Sequence, residues 1–276
     1  MEPERYLLVL SDEDPVVAAL TPHLGPPGPV VHSSDGVVVR RAAPGVLSVR
    51  RPGHHIFDDH LDGRLPAALR ESRLPLLFPS VHRSAQGVRC FTAHAVGNPG
   101  PAAELGGEPG ALVPSAPRLM TGALRRLAEV AGSVGLSATF EATHHGPALA
   151  QPALFVEIGF AEDDAPPPDA VAALARVLFE FAEDPRDRIV VGAGGGHYAP
   201  HFTDLALSRR WAFGHIISKH ALALASPATL RTALEKTPGA EGVLFHRAAD
   251  AEGAAERGLG PRLSESEQPK RSAPCA

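Results

Sequence analysis

The chain has 276 residues, 44% of them hydrophobic and 21% charged, with a formal charge of −5, enough length for one large domain to bury a core. No stretch approaches the roughly 20 apolar residues that span a bilayer. Met1-Glu2-Pro3-Glu4-Arg5 lacks the basic start and apolar run of a secretory leader, and the only cysteines are Cys90 and Cys275. This excludes a disulfide framework, a cysteine-built zinc site and a surface that is basic throughout, and sets the expectation of a cytoplasmic protein with no membrane contact.

In chain order, Tyr6-Leu7-Leu8-Val9-Leu10 reads as a buried strand. Ser11-Asp12-Glu13-Asp14-Pro15 starts a helix whose apolar positions are Val16, Val17, Leu20 and Leu24. Val37–Val39 and Val46–Val49, split by Ala43-Pro44-Gly45, predict a hairpin. A short helix over 65–71 leads to strands at 74–78 and 88–96. Residues 97–117 are rich in Gly and Pro without periodicity and predict a loop or lid. Leu124, Leu127, Val130 and Ala131 mark a helix over 119–134, followed by strands at 138–143 and 154–158. A helix over 166–183, strands at 189–191 and 211–218, a helix over 228–235 and a strand at 243–245 close the pattern. The expectation is an α/β fold, a single mixed-sheet domain flanked by helices, over residues 1–249. Residues 250–276 have little to bury and predict a disordered tail.

Two stretches concentrate chemistry. Thr139-Phe140-Glu141-Ala142-Thr143-His144-His145-Gly146-Pro147 places a carboxylate and two imidazoles at a strand end, with Glu141 on the polar face of the strand. Gly194-Gly195-Gly196-His197-Tyr198-Ala199-Pro200 adds a glycine turn, suited to a backbone N–H nest for a phosphate or oxyanion, and another histidine. The turn fails the dinucleotide fingerprint, because the last glycine is His197 and Pro200 intervenes before any helix. Glu157 sits in an apolar strand; if that strand neighbours the one leading to Glu141, the two carboxylates separate their pKa values. Ser80, His82, His94 and His215 stand at or within strands, and Thr203 or Asp204 can cap a helix. His23, His32, His54, His55, His60 and His246 read as surface residues. Arg40-Arg41, Arg50-Arg51, Arg125-Arg126 and Arg209-Arg210 can each contribute to a local basic patch.

Several of these segments, in order, resemble the archaeal and plant type of D-aminoacyl-tRNA deacylase. They are Pro79-Ser80-Val81-His82-Arg83-Ser84, Thr92 to Asn98, Leu119-Met120-Thr121, Thr139 to Pro147, Val156 to Gly159, Gly194 to Thr203, and Gly214-His215-Ile216-Ile217. The resemblance implies hydrolysis of the ester joining a D-amino acid to the terminal ribose of tRNA, as proofreading or detoxification. It also implies a zinc requirement and a core similar to peptidyl-tRNA hydrolases and nucleoside phosphorylases. Val81, Phe160 and His201 depart from the family's usual Arg, Ser and Arg.

The expected roles are catalytic for Glu141, His144, His145 and His197. Ser80, His82, Gly194, Gly195, Gly196, Tyr198 and Thr203 are expected to bind substrate. His144, His145, Glu157, His94 and His215 are expected to hold zinc. The partner is D-aminoacyl-tRNA and the protein a monomer. Two other readings compete: a tRNA-binding module without catalysis, and a nucleoside phosphorylase-like enzyme with phosphate on the glycine turn.

Overall fold

In the computed structural model, which describes residues 3–256 apart from positions 35, 84–86, 162, 209 and 227, strand β1 (Tyr6–Ser11) is buried along its whole length. Its unbroken apolar run is what a strand covered on both faces requires. Leu8 and Leu10 point into one core, with Leu7 and Val9 in the core behind them. Asp14 caps α1 (Pro15–Leu20) by accepting from the Val16 and Val17 N–H groups.

The predicted hairpin is the antiparallel pair β3 (Val37–Ala43) and β4 (Val46–Arg51), preceded by the edge strand β2 (Val30–Ser34). β2 carries no strong signal because it is largely exposed and half polar. After α2 (Ala67–Ser72) come β5 (Leu76–His82), β6 (Cys90–Ala95), α3 (Pro117–Ala131), β7 (Ser137–Phe140) and β8 (Ala153–Gly159). These strands form an eight-stranded mixed sheet in the order β2-β3-β4-β1-β5-β8-β6-β7. α3 and α4 (Pro168–Glu180) press Leu124, Leu127, Leu174 and Leu178 onto one face, and Leu61, Leu65 and Leu69 cover the other.

The mixed α/β architecture is the expected one. The last three strands, however, form their own parallel ladder instead of extending the first. Its order is β10 (Trp211–Ile217), β9 (Arg188–Ala193), β11 (Ala240–Phe245). Three helices flank it, α5 (Pro200–Ser208), α6 (Lys219–Leu224) and α7 (Thr229–Glu235). Helix α8 (Ala248–Glu256) occupies the start of the segment expected to be a tail, with Ala251 buried; residues 257–276, including Cys275, lie outside the described residues.

The predicted strand at 138–143 is shorter than expected. β7 ends at Phe140, and the next residues bridge the two ladders: Glu141 N–H donates to Ala93 O, Ala142 N–H to His197 O and Thr143 N–H to Ile216 O. The Gly- and Pro-rich segment 97–116 is fastened down, not a free lid. Asn98 N–H donates to Ala111 O, Val113 N–H to Val96 O, and the Asn98 amide to Gly106 O.

Candidate active site

The seam between the ladders gathers side chains from β5, β6, β8 and the 141–145 and 197–198 segments. His82 Nδ1 lies 3.0 Å from Glu141 Oε1 and 3.3 Å from Glu157 Oε2, and His82 Nε2 lies 3.0 Å from the Tyr198 hydroxyl. Glu141 Oε2 is 3.2 Å from His197 Nε2 and 3.6 Å from His144 Nε2; Glu157 Oε1 is 3.7 Å from His94 Nε2. The His94 ring stacks on Phe155, while His144 and His145 pack against it with centroids 4.2 and 4.9 Å away.

Three of these histidines share one arrangement. His94 Nδ1 bonds Ala95 O, His144 Nδ1 bonds Ala142 O and His145 Nδ1 bonds Gly146 O. A carbonyl can only accept, so a ring hydrogen sits on each Nδ1, and each Nε2 offers a lone pair when its ring is neutral. Burial opposes a proton on His94, but Glu157 and Glu141 raise its pKa above the ordinary histidine value. A ring nitrogen of each of the three lies within 4.8 Å of the others. Among the described residues neither oxygen of Glu141, nor His94 Nε2, receives a well-directed hydrogen bond, although all are buried. Buried lone pairs that face one another without a donor are costly unless a cation joins them. His145 is also held at φ +47°, a conformation a non-glycine residue adopts only when its surroundings require it.

Charge in the cluster follows burial and pairing. Burial opposes ionisation of both carboxylates, but His197 and His82 hold Glu141, and His82 and His94 hold Glu157, below the usual carboxylate range. Burial likewise opposes a proton on His82, yet Glu141 and Glu157 raise it to about 11. Burial, reinforced by His94, lowers His145 to about 4 and pushes His144 well below the ordinary histidine value. His82 is therefore a fixed imidazolium between two carboxylates, beside neutral His144 and His145.

The model of the D-aminoacyl-tRNA deacylase family matches residues 71–257, a span that contains all of these groups. The chain belongs to this family. A D-aminoacyl-tRNA deacylase of Thermoplasma acidophilum is 35% identical over 88% of this chain and 90% of its own length. Those of Methanosarcina mazei and Methanoculleus marisnigri are each 39% identical, over 70% and 78% of this chain, but the match spans only 65% and 49% of their lengths. A solved structure described as a conserved protein of unknown function superposes with a TM-score of 0.78 at 25% identity, covering 93% of both chains.

Not every residue singled out in this deacylase-family chain reaches the cluster. Glu141, His144, His145, His197, His82, His94, Glu157 and Tyr198 do. His215 does not: it is fully buried, its Nδ1 faces the Thr143 hydroxyl at 3.1 Å and its Nε2 the Val113 carbonyl at 2.9 Å, so no lone pair is left for a metal. Thr203 does not cap α5 but lies within it, its hydroxyl accepting from Phe140 N–H and donating to Ala199 O. Ser80 stands opposite Glu157 on the neighbouring strand, but its hydroxyl is turned from the cluster, donating to Asp14 Oδ2 and meeting His55 Nε2 at 2.9 Å. His55, read as a surface residue, is wholly buried.

The glycine turn is less open to anions than expected. Gly194 N–H is taken by Ile217 O, and a Cβ at Gly194 would lie 2.5 Å from the Asp250 carboxylate. A half-buried carboxylate against the turn, although paired with Arg247 at 3.6 Å, works against phosphate there. The strands of Glu157 and Glu141 are not neighbours either, because β6 lies between β8 and β7. The carboxylates meet through His82 instead, and both pKa values fall rather than separate. Ser84 and Arg209 lie outside the described residues. Arg41, Arg50, Arg125 and Arg126 are ion-paired with Glu4, Asp12, Asp187 and Glu129, so they form no free basic patch.

Proposed function

We propose that the protein hydrolyses the ester between a D-amino acid and the terminal ribose of tRNA, releasing free tRNA. Family membership supports the reaction, and the observation that carries it to this site is the approach of His94, His144 and His145 ring nitrogens to within 4.8 Å of one another beside Glu141 oxygens that lack a well-directed donor. The same donor set fits zinc: imidazoles whose Nδ1 atoms donate to carbonyls, with carboxylates alongside, are what that ion selects, and His94 would give up its second proton to join it. We assign His94, His144 and His145 as its holders, with Glu141 or Glu157 adjacent. When bound, zinc would supply Lewis acidity and a water whose pKa is lowered to about 7.

The chain's own groups divide the remaining work. Glu141, kept ionised by His197 and His82, accepts the proton of the attacking water. Protonated His82 donates Nε2–H to the Tyr198 oxygen, which turns the phenolic hydrogen outward to donate to the oxyanion that develops on the ester carbonyl. His197, with a side chain 46% exposed and its Nε2 3.2 Å from Glu141 Oε2, stands at the mouth beside that carboxylate. A cytoplasmic location follows from a tRNA substrate. Among the described residues no helix is long and apolar enough to cross a membrane.

The test is release of labelled D-tyrosine from D-tyrosyl-tRNA beside L-tyrosyl-tRNA, before and after chelation with zinc add-back. D-selective release that is lost on chelation and restored by zinc is expected. Release that survives chelation rejects the metal assignment, and no release above the spontaneous rate for any D-aminoacyl-tRNA rejects the hydrolase reading.

A further inference from the structure

Beside the cluster lies an apolar ledge that the mechanism does not use. Phe57 is 56% and Leu105 52% exposed, both unusually open for large apolar side chains. They come from two loops, 53–64 and 97–110, that meet backbone to backbone. A Cβ on Gly106 would lie 1.8 Å from Ile56 O and 3.3 Å from the Phe57 ring. A Cβ on Gly146 would lie 2.3 Å from Gly107 N and 2.7 Å from Ile56 O. Leu105 O accepts from Gly146 N–H, and Asp59 Oδ1 accepts from Gly107 and Ala148 N–H. The ledge's backbone is thus fastened to the residue that follows His145, while its two side chains stay exposed.

We infer that the Phe57–Leu105 ledge stacks an unpaired 3′-terminal nucleobase of the tRNA, and so sets affinity for the RNA end instead of for the amino acid. The inference rests on the deacylase reading, which requires the ester at the histidine cluster and therefore the terminal nucleotides within a residue or two of it. An aromatic face accepts any base, because every base has a π-face, and such stacking contributes about 1–3 kcal/mol per base. A chain of charge −5 with most of its arginine pairs neutralised needs an affinity source of this kind. Next to the ledge, Arg51 and Arg64 share the single carboxylate of Asp58, and the Arg64 side chain is 46% exposed. Arg64 offers a cation beside the ledge, but Glu104 and Glu108 are exposed on the loop that carries Leu105, so stacking and not charge carries the inference.

The experiment measures kcat and KM of Phe57→Ala, Phe57→Trp and Leu105→Ser on D-tyrosyl-tRNA and D-alanyl-tRNA. In parallel, anisotropy follows binding of an RNA hairpin ending in CCA and of the same hairpin without its last two nucleotides. Phe57→Ala is expected to raise KM about tenfold on both substrates with kcat within twofold, and Phe57→Trp to restore it. Wild-type protein is expected to prefer the CCA hairpin, and Phe57→Ala to lose that preference. Unchanged KM overturns the inference. So does a rise confined to D-tyrosyl-tRNA, which would make the ledge a side-chain pocket. If the wild type deacylates nothing, the hydrolase reading falls and the hairpin pair alone decides the ledge: equal binding of both hairpins overturns it.

Discussion

Two buried polar groups in this molecule use the same residue types to opposite ends. At the start of α1, Asp14 accepts from Val16, Val17 and Val81 N–H and from the Ser80 hydroxyl, which also meets His55. Around Glu141, by contrast, carboxylate and histidine atoms approach within 3.0–3.6 Å but leave both Glu141 oxygens without a well-directed donor. Residue type and burial do not distinguish the two groups. The carboxylates do: both Asp14 oxygens accept well-directed hydrogen bonds, leaving His55 Nδ1 as the unpartnered atom of that group, whereas both Glu141 oxygens are left without one.

The sharpest way to break this comparison is Glu141→Gln. It removes the proton acceptor and should lower kcat by about 10²–10⁴-fold, with a smaller cost in folding stability because Glu157 still pairs with His82. A loss of stability larger than the loss of activity, seen by urea denaturation beside turnover, would make Glu141 structural.

His94→Ala comes next. It should reduce bound zinc, read by metal analysis of the purified protein, about 10- to 100-fold in affinity, whereas Glu141→Gln keeps the three imidazoles and retains most of the metal. Equal zinc content in both variants removes the three-histidine assignment.

Asp14→Ala should behave in the reverse sense. Losing the cap and orphaning Ser80 and His55 should cost about 2–4 kcal/mol of stability, with kcat changed by less than about tenfold at a temperature where the variant is folded. The opposite split, full stability with activity lost, would move Asp14 into the catalytic group.

The smallest effect concerns pH. Burial lowers His215 from 6.5 to about 4, so below pH 6.5 the unfolded chain binds a proton that the folded chain refuses until about pH 4. Stability therefore falls as pH drops through that window, by at most about 3 kcal/mol for this group. His215→Gln should flatten the slope of unfolding free energy between pH 6.5 and 4. An unchanged slope would mean that His145, which titrates in the same window, accounts for it.

Much of the fold was legible because it rests on period and punctuation. β1, α3 and α4 bury one clear pattern each, and Asp14-Pro15 signals its helix by local chemistry alone. β2 and α6 were not, since an exposed edge strand and a six-residue helix carry too little periodicity. The separate β10-β9-β11 ladder depends on long-range pairing, which no local pattern encodes.

Within the site, Glu141, His144, His145 and His197 stood out as polar residues at strand ends. His215 and Ser80 stood out equally, although their nitrogens and hydroxyl are consumed by Val113, Thr143, Asp14 and His55. His55 and Phe57 carry no signal at all, because a loop histidine and a loop phenylalanine look alike whether buried or displayed.

Asp250 has a practical consequence for anyone who shortens this chain. Its carboxylate packs against Gly194 and its helix buries Ala251, although composition alone would place the domain boundary just before both. A stop codon after position 249 would strip one wall from the glycine turn that carries His197. Truncation for crystallisation or expression should begin beyond Glu256, where α8 ends.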